Sequence, residues 1–130
     1  MNYKTYGQQE KGVHPSEAAE MTTFFNQLRK HYPEYYAIAL HVRNENDGDY
    51  RKTNKSKLEG GFVKGASDIV VPCNPPFVCE LKAINKGSRV SKEQSVFLDN
   101  AANLGAFACI AYGWKAAFTA FEDCIKKPLN

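Results

Sequence analysis

The chain has 130 residues, 43% hydrophobic and 12% aromatic, with a formal net charge of +3. That is the length of one domain, too apolar for a disordered protein, and no apolar run is long enough to span a bilayer. The polar stretch from Met1 to Val13 lacks the apolar segment of a signal peptide. The expectation is a single cytoplasmic domain, with residues 1–13 flexible or peripheral and no membrane partner.

The first strong element is a helix over residues 15–31. Ala18, Met21, Phe25, Leu28 and Tyr32 recur at three- and four-residue steps, Pro15 suits a first turn, and Pro33 lies beyond the end. Residues 35–42 mix aromatic and aliphatic side chains and read as a strand. Residues 44–61 form a polar loop with a helical turn near 55–58, carrying Arg51, Lys52, Lys55 and Lys57 and closing on Gly60-Gly61. Two short apolar runs follow, Ile69 to Val71 and Phe77 to Lys82. Between them Pro72-Cys73-Asn74-Pro75-Pro76 can neither extend a strand nor start a helix, which makes a β-hairpin. A second polar loop over 84–90 holds Lys86, Gly87 and Arg89. Ser91-Lys92-Glu93-Gln94 has the capping-box pattern and opens a helix that buries Phe97, Leu98, Ala101 and Leu104, with Gly105 as its stop. Residues 107–112 read as a buried strand. Residues 114–127 read as a closing helix with Trp114, Ala117, Phe118, Phe121 and Ile125 inward. This order gives an α/β sandwich: a central mixed four-stranded sheet flanked by helices.

Cys73, Cys79, Cys109 and Cys124 form no C-x-x-C pair, and three of them sit in apolar segments, so they read as buried free thiols. His14, His31 and His41 are scattered and do not make a zinc site.

The hairpin carries the chemistry. Even pairing about Asn74 sets Asp68 opposite Glu80, and a period of two sets Lys82 on the face of Glu80. Two carboxylates and an ammonium converging on one sheet face are costly unless the carboxylates hold a cation. Hard oxygen donors select Mg2+, with Mn2+ as a substitute, and such an ion activates water and offsets charge on a phosphodiester. A lysine beside it can orient the attacking water, act as a base if its pKa is depressed, or hold the phosphate. An isolated E-x-K is common on exposed edge strands. The facing aspartate and the apolar flanks of both runs favour a site. Charge agrees: from Arg43 to Lys92 ten Lys/Arg stand against six Asp/Glu, which suits a polyanion brought to the hairpin. Lys86, Arg89 and Lys92, together with Arg51, Lys52, Lys55 and Lys57, are the expected nucleic-acid-binding side chains.

The arrangement resembles the PD-(D/E)xK nuclease superfamily, and in detail its VRR-NUC family, in the stand-alone phage-type form. The likeness covers residues 15–125. It runs through Pro15-Ser16-Glu17, Asn44, Glu59-Gly60-Gly61, Gly65-Ala66-Ser67-Asp68, Glu80-Leu81-Lys82, Gly87 with Ser91-Lys92-Glu93-Gln94, and Leu104-Gly105-Ala106. The family usually has proline before the motif aspartate, where this chain has Ser67. The resemblance implies a restriction-endonuclease-like fold, with Asp68 and Glu80 as metal ligands and the Leu81 backbone carbonyl as a further one. It implies Lys82 as the catalytic lysine and Gln94 as the helix glutamine near the site, a role not exclusive of capping. Glu17 matches the first-helix acid that contributes to metal binding, often through water; Glu20 is the runner-up, expected to face solvent. The implied activity is a metal-dependent DNA endonuclease, structure-selective in the manner of a Holliday-junction resolvase, without an organic cofactor. It would act on branched DNA as a homodimer, in the cytoplasm of a bacterium or a phage-infected host. The alternatives are a nicking, flap or restriction-type nuclease of the same fold, or a DNA-binding module that does not cut.

Overall fold

Ser16 starts the first helix of the computed structural model, which describes residues 2–42, 59–61 and 63–126. Its hydroxyl accepts from the Ala19 N–H at 3.1 Å, and α1 runs over Glu17–His31. Acids in the first turn and Arg29, Lys30 and His31 in the last complement the helix dipole. Its buried side is Glu20, Met21, Phe24 and Leu28. The stripe is turned from the expected one: Phe24 is fully enclosed, Phe25 flanks it half-buried, and Ala18 is exposed.

The strand expected over residues 35–42 is mostly helical turn. Pro33–Tyr36 form α2, and only Leu40–His41 pair as β2. Pro33 presets the φ of a first turn, and the rings of Tyr32 and Tyr35 pack 5.5 and 5.3 Å from Phe121. That aromatic packing overrides the local β preference.

β3 (Ile69–Val71) and β4 (Phe77–Lys82) pair antiparallel, with Ile69 opposite Cys79 and Val71 opposite Phe77, the register symmetric about Asn74. β5 (Phe107–Tyr112) runs parallel to β4, and β2 antiparallel to β3. The described residues contain a fifth strand beyond the four expected: Lys4–Tyr6, from the segment read as flexible or peripheral, form β1 at the edge beside β5. The order is β1-β5-β4-β3-β2. Tyr3 Oη and Ser95 Oγ share a 2.9 Å hydrogen bond, and Tyr6 Oη donates to Asp123 Oδ2 at 2.8 Å. These tie β1 to the helices α3 (Lys92–Asn103) and α4 (Trp114–Lys126).

Alternation along β4 separates two layers. Phe77, Cys79 and Leu81 join Phe24, Leu28, Ala117 and Phe121 in the core shared with α1 and α4. Val78 turns the other way, to Leu98 of α3 and to Ala108 and Ile110 of β5. Glu80 and Lys82 share the α3 face by the same period. Leu104, expected inside, is 90% exposed, because α3 ends at Asn103 and Leu104 is the cap beyond it. Cys79, Cys109 and Cys124 are buried, Cys73 is half-buried, and none of the four is joined in a disulfide. No helix among the described residues is long and apolar enough to cross a membrane.

Candidate active site

β3 begins one residue too late to include Asp68, and the site forms at that step. The Asp68 carbonyl still accepts from the Val42 N–H at 2.7 Å. Its side chain takes over the pairing to β4, where Oδ2 accepts from the Leu81 N–H at 3.1 Å. Continuing the hairpin ladder by one step makes Glu80 its register partner.

Glu80 is 1% exposed and Lys82 8%. Lys82 Nζ lies 3.7 Å from Glu80 Oε2, which also accepts from Gln94 Nε2 at 3.1 Å. Gln94 Oε1 accepts from the Ser91 N–H at 2.9 Å, while Ser91 Oγ accepts from the Gln94 N–H at 3.1 Å. Capping and contact with Glu80 therefore use different atoms of one amide group. Glu80 Oε1 is buried without a hydrogen-bond partner. Burial pushes the Glu80 carboxyl up to about 9 from its usual 4.5. The neighbouring Asp68 carboxylate adds to this, the Lys82 ammonium opposes it, and Glu17 pushes it further up.

These groups line an open cleft of about 640 Å³, with Glu17, Lys64 and Gly65 in its walls. Gly65 has φ +86°, and a Cβ there would lie 2.4 Å from the Glu93 carbonyl group. Only glycine lets the loop before Asp68 touch the first turn of α3. Lys64, which sequence reasoning did not mark, stands 3.4 Å from Glu93 as an ion pair. Its only sequence signal is its place directly before the G-x-x-D run.

Glu17 is exposed in the first turn of α1 and reaches the cleft wall. Glu20, expected to face solvent, is instead 3% exposed, and its Oε1 accepts from the Trp114 N–H at 3.2 Å, at the start of α4. Gly113 leaves room for it, since a Cβ there would lie 3.2 Å from Glu20 Oε2 and 2.8 Å from Ile84 Cδ1. The four-residue step Glu20, Phe24, Leu28 was the available signal. The Leu81 side chain belongs to the core, and its peptide N–H is the group that meets Asp68. Lys86, Arg89 and Lys92 are exposed on the segment between Lys82 and Gln94, braced by Gln9 Nε2 donating to Ser88 Oγ at 2.9 Å. Arg51, Lys52, Lys55 and Lys57 lie outside the described residues, as does Asn44.

The donor set is hard oxygen: two adjacent carboxylates, one with an orphaned buried atom. Among the described residues no three His, Cys, Asp or Glu side chains gather into a cage. Ions of the magnesium type are held by one or two carboxylates, with water and substrate oxygens completing the shell. Asp68 and Glu80 fit such an ion.

Fold and cleft together define an α/β sandwich with a carboxylate–lysine site at the edge of its central hairpin. No family model matches the chain, and no curated protein matches it. A solved structure described as a VRR_NUC domain protein does, with a TM-score of 0.70 over 88% of this chain and 91% of that one, at 15% sequence identity. At that identity the likeness establishes the fold, which is that of the VRR_NUC domain structure.

Proposed function

We propose that the chain is a magnesium-dependent endonuclease that hydrolyses phosphodiester bonds in DNA. The observation that carries this reading is Glu80, a buried carboxyl with one unpartnered oxygen, set beside Asp68 and Lys82 in an open cleft. Likeness to a VRR_NUC domain supports nuclease chemistry. Asp68 and Glu80 would hold the ion, with the Leu81 carbonyl as a further ligand and Glu17 acting through water. A bound Mg2+, or Mn2+ in its place, lowers the pKa of water and offsets phosphoryl charge. Gln94 holds Glu80 Oε2 and so leaves Oε1 for the cation. Lys82, kept 3.7 Å from Glu80 and nearly buried, directs its ammonium at the phosphate or at the attacking water.

The VRR-NUC resemblance supports a finer reading, a homodimer that resolves branched DNA. Two equivalent scissile bonds on a four-way junction call for two copies of this single site. A module that only bound DNA would gain nothing from carboxylates facing phosphates. The test is cleavage of linear, flapped and four-way DNA with Mg2+ and with EDTA, beside sedimentation with and without junction. Asp68→Ala and Glu80→Ala should lose cleavage and keep DNA binding. Near-normal turnover by either variant removes that ligand. A monomer that nicks flaps removes the resolvase reading and leaves the nuclease.

A further inference from the structure

Beyond Met21 and His41 the cleft continues into a second groove of about 680 Å³. Ala18, Met21 and His41 line both depressions, so the two are contiguous. Their chemistry differs. The cleft is walled by acids and lysines, whereas no Lys, Arg, Asp or Glu among the described residues lines the groove. Among the described residues a phosphate or a cation meets no oppositely charged side chain in that lining, and an uncharged planar ring meets aromatic ones. The Phe25 and His41 rings lie 5.9 Å apart. Tyr36, which also lines the groove, is 38% exposed, with the Arg29 guanidinium 5.9 Å from its ring centroid. Asn26 lines the groove as well and is exposed, and its carboxamide offers both a donor and an acceptor.

We propose that this groove receives one unpaired nucleobase, from the nucleotide next to the scissile phosphate. The proposal rests on the nuclease reading and names what that site selects. A strand whose phosphate lies at Asp68, Glu80 and Lys82 carries its adjoining base to the shared wall at Met21 and His41. Aromatic faces there can stack any base, and Asn26 can meet its edge. A base can enter only when it is out of the duplex stack. The groove therefore favours DNA that is single-stranded, frayed or branched at the cut over continuous duplex.

The probe is an oligonucleotide series with 2-aminopurine at successive positions, read by fluorescence with the intact protein in EDTA. Matched abasic substrates are then cleaved with Mg2+. One position should change fluorescence on binding, and a folded Asn26→Ala/Tyr36→Ala double variant should lose that change. An abasic site at that position should lower kcat/KM roughly tenfold, the order of one lost base–aromatic stack. The double variant should lose as much on intact DNA and no more on the abasic substrate. Additive losses, or a fluorescence change that survives the double variant, overturn the groove. If the wild type cleaves no DNA at all, the nuclease reading fails by itself. The fluorescence arm then decides the groove alone.

Discussion

A carboxyl group that keeps its proton to about pH 9 must release it before it can bind a cation, so Glu80 couples stability, metal and pH. Unfolded, the same group titrates near 4.5, so the native state holds an extra proton between the two values. Its contribution to stability is therefore full below about pH 4.5 and is lost as pH rises toward about 9. Urea unfolding in EDTA should show the wild type weakening between about pH 5 and pH 8. Glu80→Gln should flatten that slope and be the more stable protein at the higher pH, by on the order of 2 kcal/mol. Mg2+ at pH 8 should stabilise the wild type and not the variant; equal slopes in the two proteins would detach Glu80 from the effect. One residue before Asp68, Ser67 buries a hydroxyl that has no partner. Ser67→Ala should be neutral to stabilising, by about 1 kcal/mol in thermal unfolding. A clear loss of stability would reveal a bound water on that hydroxyl.

The start of α3 does two jobs that substitution can separate. Ser91→Ala removes the cap and should cost about 1 kcal/mol of stability while most cleavage persists. Gln94→Glu keeps an acceptor for the Ser91 N–H but turns a carboxylate toward Glu80 in place of a donor. It should cost less stability than Ser91→Ala and far more of the single-turnover cleavage rate; the reverse ranking would make Gln94 a capping residue only. The hairpin that α3 supports was legible in the sequence. Prolines bound its turn, and a period of two with symmetry about Asn74 is enough to bring Asp68, Glu80 and Lys82 together. What was not legible depended on partners far along the chain. Tyr35 and Tyr36 look like strand residues until Phe121 packs against Tyr35. Glu20 looks like a surface acid until the Trp114 N–H meets it. Lys4–Tyr6 show no periodicity, and only Cys109, Ile110 and Ala111 make them a strand.

Among the described residues, three exposed positive charges stand on the segment that joins two parts of the site. Lys86, Arg89 and Lys92 are exposed between Lys82 and Gln94. If that segment meets the phosphate backbone, neutralising all three should reduce the slope of log K against log salt by roughly 2 to 3. Binding should weaken without a change in which sequence is cut. Anisotropy titrations across a NaCl series measure this, and an unchanged slope removes the segment from the interface.

β5 is a six-residue strand, Phe107 to Tyr112, without a single charge. Among the described residues its outer edge is covered by β1 alone, which sets Lys4 at that border. Stripped of β1, β5 would offer bare N–H and C=O groups to any passing chain, the template from which aggregates grow. Protein lacking residues 2–7 is accordingly expected to scatter light at concentrations where the full chain stays clear, and a clear solution of the truncated form would refute this. If the truncated form scatters, Lys4–Tyr6 are a built-in aggregation guard. Because the ribosome makes them long before β5, the guard is already waiting when the vulnerable strand emerges.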